Sequence, residues 1–133
     1  MNLVFLDTVG LLAIWNEGDQ WHNAAETAYR QIISSRQPVV TTTFILAECG
    51  NAAARRSFRD DVCALRRTLE LRSELIVPTQ EDWLKAWEAY ERGQAGQAGL
   101  VDHVSFMVMR RLGLTQAFTN DRHFQAAGFT VLF

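Results

Sequence analysis

Four of the fifteen acidic residues, Asp7, Glu48, Asp102 and Asp121, stand at positions that invite chemistry. Asp7 closes an apolar run that begins at Leu3, and Asp121 follows a second short apolar stretch, Thr115 to Thr119. Glu48 and Asp102 lie near the starts of helical patterns, one following a strand and the other a loop. In an open parallel sheet all four positions fall at the carboxyl edge of the strands, where ligands bind. Two carboxylates about 4 Å apart repel by about 4 kcal/mol at an effective dielectric near 20, so four together need a counter-ion. All-oxygen donors with no cysteine or histidine pair at metal spacing select Mg²⁺ or Mn²⁺ over zinc. One or two such ions can activate a nucleophile and stabilise the leaving oxygen in phosphodiester hydrolysis. Taken singly, each acid has a plainer reading: Asp102 and Asp121 as helix caps, Glu48 as half of a buried ion pair.

The elements that would position these acids alternate between the two periodicities. An apolar run ending in a lone acid suits a strand buried on both faces, followed by a short helix from Thr8 to about Trp15 and a turn at Asn16 to Asp19. Trp21 to Arg36 is helical in pattern, and Pro38 opens a strand at Val39 to Thr41. Thr43 is the expected N-cap of a helix running from Phe44 to about Arg56, with Glu48 on one apolar face with Phe44, Ile45 and Ala52. A helix over Phe58 to Leu71, a strand at Leu75 to Val77 and a helix over Glu81 to Glu91 follow, the last carrying a packing stripe of Trp83, Trp87 and Tyr90. Gly93 to Gly99, G-Q-A-G-Q-A-G, reads as a flexible connector, since no G-K-[S/T] follows it and no strand leads into it. Beyond it come an apolar helix, Val104 to Leu112, with Asp102 near its start, then a strand at Thr115 to Thr119, a short helix to Gly128 and a strand at Phe129 to Phe133. This alternation predicts one α/β domain over 1–133, a three-layer α/β/α sandwich on a central parallel sheet of about five short strands.

Composition narrows the class. At 133 residues, 48% hydrophobic and 21% charged, the chain is expected to fold without disulfides or structural metal. Cys49 and Cys63 read as core thiols in a reducing compartment, and no signal-peptide pattern or membrane-length apolar run appears, so a cytoplasmic location is expected. The net charge of −2 argues against a strongly basic nucleic-acid binder. Yet residues 55–72 hold six arginines against three acids. On one continuous helix Arg55, Arg59 and Arg66 would form a stripe suited to tracking phosphates, with Ser57 as the point where that helix could break. His22, His103 and His123 read as structural, because a cation-held water needs no histidine to lose its proton.

Four segments in this order resemble the PIN-domain ribonucleases of the VapC toxin type. They are L-D-T at Leu6 to Thr8, T-x-x-x-A-E ending at Glu48, L-V-D-H-V-S-F at Leu100 to Phe106, and T-N-D-R-H-F at Thr119 to Phe124 followed by Gly128 and Phe129. The resemblance implies a Mg²⁺- or Mn²⁺-dependent endoribonuclease acting on RNA, often a homodimer, restrained by a cognate antitoxin protein. It carries the family's acidic quartet onto Asp7, Glu48, Asp102 and Asp121, and its site-lining hydroxyls onto Thr8 and Thr119. Val9 stands where the family usually has Ser or Asn, and His103 where it has a small residue. A second reading is a PIN-like module that binds RNA or protein and whose acids hold only a structural cation. A haloacid-dehalogenase-like phosphatase would need a second aspartate at the place Val9 occupies.

Overall fold

Val4, Phe5 and Leu6 are wholly shielded from solvent and form β1 (Val4–Leu6), the middle strand of a five-stranded sheet. The structure, a computed structural model, describes residues 2–133. Strands β2 (Val39–Thr42), β3 (Leu75–Ile76), β4 (Gln116–Phe118) and β5 (Thr130–Val131) complete the sheet in the order β3-β2-β1-β4-β5, every neighbouring pair parallel. Val4 stands opposite Val39 on one side and Gln116 on the other. The Thr41 hydroxyl donates to the Leu6 carbonyl at 2.6 Å and fixes β2 on β1 at the end where Asp7 emerges.

Helices α1 (Thr8–Trp15), α2 (His22–Ser34), α3 (Thr43–Ala53) and α4 (Arg59–Leu71) connect β1 to β2 and β2 to β3. Helices α5 (Gln80–Glu91), α6 (Gln94–Gln97) and α7 (Leu100–Leu112) return the chain to β4, and α8 (Arg122–Ala126) leads to β5. Right-handed crossovers place the first four helices on one face and the last four on the other. The packing agrees, with α1 against α2 and α3, α3 against α4, α5 against α7 and α6 against α8. This is the expected three-layer α/β/α sandwich. The direction of strand addition reverses between β1 and β4, which opens a crevice at their carboxyl ends. Among the described residues no helix is long and apolar enough to cross a membrane.

Several local expectations are corrected. Thr42, not Thr43, caps α3, its hydroxyl accepting from the Ile45 N–H at 3.2 Å. The apolar helix begins at Leu100 rather than Val104 and Gly99, not Asp102, occupies the cap, while Asp102 lies in the first turn as expected. Ala52 is exposed, so the apolar face assigned to Glu48 stops short of it. The arginine stripe does not form. The chain reverses between Ala53 and Arg59, Arg59 donates to the Ala54 carbonyl that the break frees, and Arg66 pairs with Glu70 along α4. Cys49 is buried but Cys63 is exposed on the outer face of α4. The G-Q-A-G-Q-A-G segment is a defined single turn, with Ala95, Gly96 and Gln97 all at positive φ. The aromatic stripe is linked by edge-to-face contacts from Phe44 to Trp83, Trp87 and Tyr90, but it is not the packing face of α5: Trp87 and Tyr90 are exposed, and the helix buries Asp82, Ala86 and Ala89 instead.

One close approach sets the position of the crevice wall. A Cβ at Gly10 would stand 2.2 Å from the Phe118 carbonyl oxygen, so α1 lies against β4 at a distance only glycine permits. We predict that Gly10→Ala destabilises the protein by about 1–3 kcal/mol, the usual cost of overpacking, in chemical denaturation. An unchanged midpoint would show that α1 can shift without cost.

Candidate metal and active site

The crevice between β1 and β4 receives its first acid from the end of β1. Asp7 has extended backbone and serves as N-cap of α1, its Oδ2 accepting from the Val9 N–H at 3.3 Å. It is only 2% exposed. Thr119, at the end of β4, donates its hydroxyl to the same Oδ2 at 2.8 Å and accepts the Asp121 N–H at 3.1 Å. That one side chain joins the two strand ends of the crevice. Burial drives the Asp7 carboxyl up to about 7; the Thr119 bond opposes the rise, and the nearby Asp102 and Asp121 charges add to it.

Asp121 caps α8, and its Oδ1 accepts from the His123 N–H at 2.9 Å. Asp102 comes from the opposite side, on the first turn of α7. Burial, then the charges of Asp121 and Glu48, push its carboxyl up to about 6. Glu48, half-buried on α3, accepts a 2.6 Å bond from the Thr8 hydroxyl. Burial, with the charges of Asp7 and Glu48, raises the thiol of Cys49 to about 12, so it is inert there. The four predicted acids thus influence one another across the crevice, and Thr8 and Thr119 each hold one of them. Arg55, Arg59 and Arg66 are not among the groups that bond to or perturb these acids.

The donor set fits a hard divalent cation. The acids that shift most are raised by burial and by neighbouring carboxylates, a cost a cation would offset, and the bonded hydroxyls leave carboxylate oxygens to spare. Ligand atoms of Asp102, Asp121 and His123 lie within 4.8 Å of one another. His123 is the residue the sequence reading misplaced. Its Nδ1 sits 2.9 Å from Asp121 Oδ1, beside the predicted acids rather than away from them. Its position two residues after a capping acid was visible, but the direction of its ring was not. The other two histidines are structural. His22 bridges the Ala13 carbonyl and Glu26, and buried His103 packs edge-on between Tyr90 and Phe106. Burial, then Arg110 and His123, hold His103 below its ordinary pKa. The Val9 side chain is 37% exposed and contributes only its backbone N–H to Asp7.

Comparison with known proteins gives this geometry a lineage. The chain is 32% identical over 136 aligned positions to the 23S rRNA-specific endonuclease VapC20 of Mycobacterium tuberculosis, covering 96% of this chain and 95% of that protein. The crystal structure of M. tuberculosis VapC20, described as a sarcin–ricin loop cleaving toxin, superposes with a TM-score of 0.77 at 30% identity over 96% of both chains. FitAcB from Neisseria gonorrhoeae shares the fold, with a TM-score of 0.66 at 15% identity over 98% of this chain and 96% of that one. The family signature described as PIN domain matches residues 4–130. With a five-stranded parallel sheet and an acid-lined crevice at its switch point, the chain belongs to the PIN domain family.

Proposed function

We propose that this protein is a divalent-cation-dependent endoribonuclease, the toxin of a toxin–antitoxin pair, whose 133 residues act as one PIN-like unit. The observation that carries the reading is the group of carboxyls at the β1/β4 crevice, two of them raised to about 7 and about 6, chiefly by burial and further by one another's charge. Its full-length likeness to an rRNA endonuclease supports RNA as the substrate class. Asp7, Asp102 and Asp121 are the residues that would hold Mg²⁺ or Mn²⁺, with Glu48 holding the attacking water or a second ion. A cation bound there supplies Lewis-acid polarisation and neutralises the charge that develops on the phosphodiester. Thr119 keeps Asp7 and Asp121 in register, so both would be available to a bound cation without rearrangement of the strand ends. The Thr8 hydroxyl, donating to Glu48 at 2.6 Å, supports a role for Glu48 in orienting the attacking water. A cognate antitoxin is the partner such a toxin requires.

Incubation of purified, antitoxin-free protein with structured RNA, beginning with a sarcin–ricin loop oligonucleotide, tests the reading. Cleavage with Mn²⁺ that EDTA stops, and that Asp7→Asn reduces by about 10²–10³-fold as loss of a preorganised charge does, is the expected result. Tight RNA binding with no cleavage under any metal would overturn it in favour of a silent RNA-binding module.

Stability gives an independent check. The raised Asp7 and Asp102 pKa values mean that the folded state prefers both acids protonated, so in EDTA the stability they contribute is fully present below about 4 and is lost as pH rises through about 6 to 7. Added Mn²⁺ should offset that loss and raise Tm most above pH 7, by an amount equivalent to about 2.7 kcal/mol at one hundred times Kd. Asp102→Asn should be more stable than wild type in EDTA at pH 8 and gain less from Mn²⁺. A metal-free stability that rises from pH 4 to pH 7 would contradict this account.

A further inference from the structure

Beside the acid crevice, helices α6, α7 and α8 flank a second cavity, of about 210 Å³. Its polar lining comes from Gln94 of the glycine-rich turn and from His103 and Arg110 of α7; the other lining residues are apolar and none is an acid. His103 is only 1% exposed, and its Nε2 is shielded from solvent with no hydrogen-bond partner among the described residues. A buried polar atom left unsatisfied costs about 1–3 kcal/mol, so the cavity that His103 lines is where its partner belongs. One water takes about 30 Å³ in the liquid, so the space exceeds what a single bridging water fills and leaves room for a tetrahedral oxyanion.

Arg110 supplies the charge. Its guanidinium lies over the rings of Phe106 and Phe129, 6.0 and 5.5 Å from their centroids, and donates from Nη2 to the Ala127 carbonyl at 3.1 Å. These contacts hold the planar fork while that bond uses one of its five N–H donors. A guanidinium fixed in this way suits phosphate oxygens. The cavity also adjoins the acids. His103 follows Asp102 in the chain, and a Cβ at Gly96 of the turn would lie 3.7 Å from His123, whose Nδ1 is 2.9 Å from Asp121.

We propose that this cavity is a phosphate subsite, in which Arg110, the His103 Nε2–H and the Gln94 amide hold a backbone phosphate of the RNA next to the acid crevice. The inference rests on the endoribonuclease reading above and deepens it. Carboxyls repel RNA wherever a cation does not cover them, and this neighbouring site supplies an attraction that Arg55, Arg59 and Arg66 do not bring to the acids. Free inorganic phosphate shares the chemistry and is the first probe.

Inorganic phosphate is titrated into EDTA-treated full-length protein at constant ionic strength, with ¹⁵N NMR of the histidine rings. The His103 Nε2 signal should move saturably. Arg110→Gln, which keeps a donor for the Ala127 carbonyl, and Gln94→Glu should each weaken phosphate binding about 10-fold, as loss of a charge-assisted bond or gain of a like charge does. Gln94 is exposed, so its variant reads the cavity without disturbing the core. No saturable change in wild type, or equal affinity in Gln94→Glu, would overturn the subsite and leave a water-filled cavity. The RNA source is read from the salt dependence of binding of a sarcin–ricin loop oligonucleotide to Asp7→Asn protein with Mn²⁺, where cleavage is slow. Adding Arg110→Gln should lower the slope of log K against log salt by about 0.7–0.9, the value of one phosphate contact. An unchanged slope alongside phosphate binding would overturn the RNA assignment in favour of free phosphate. Wild type that neither binds nor cleaves RNA with Mn²⁺ would overturn the endoribonuclease reading and the RNA assignment with it, and the phosphate titration separates that outcome from failure of the cavity.

Discussion

The Thr119 hydroxyl bridges the two chain segments that leave the paired strands β1 and β4. It donates to the buried Asp7 carboxyl and accepts the backbone N–H of Asp121, so the acid after β1 and the acid after β4 share one oxygen atom as their spacer. The sheet order makes that contact possible, because β1 and β4 are adjacent although more than one hundred residues separate them in the chain. Gly10 serves the same end by letting α1 approach the Phe118 carbonyl, the residue immediately before Thr119. Carboxylates fixed so close in a shielded crevice repel one another, and the fold accepts that cost at the place where a divalent cation would remove it.

The acids are not held alike, and the differences assign them different tasks. Asp7 is buried, bonded by Thr119 and its own helix N-terminus, and bears the largest shift of the group. Asp102 sits in the first turn of α7, where the helix dipole favours negative charge, yet burial and two neighbouring acids outweigh that help. Glu48 is half-buried, as Asp102 and Asp121 are, and is tied to Thr8 on another helix.

Much of this was legible in the chain before the fold was known. Leu3 to Leu6 followed by Asp7 announced a central buried strand with an acid at its carboxyl end, and the alternation of periods was enough to order the elements. The acids could be paired because each followed a strand or opened a helix, positions that parallel topology brings to one edge. What failed were features set by side-chain direction and by chain reversals. Thr42 and Thr43 are equally good caps by type, and only the reach of one hydroxyl to Ile45 separates them. The Arg55 to Arg66 stripe depended on an unbroken helix, but the chain turns at Ala54 to Phe58, where no proline or glycine marks a stop. His123 could be placed on α8 but not aimed, since its ring direction depends on Asp121 and on a left-handed turn whose conformation glycines permit without specifying.

The central claim is that these carboxyls are gathered for a cation, and their own titration measures it most directly. Carboxyl-carbon NMR of labelled aspartates, followed from pH 3 to pH 9 in EDTA and then in saturating Mg²⁺, reads each acid separately. The account predicts Asp7 and Asp102 titrating near 7 and near 6 without metal, and both falling to or below the ordinary 3.8 when Mg²⁺ is present. Titration curves that Mg²⁺ leaves unmoved would contradict it.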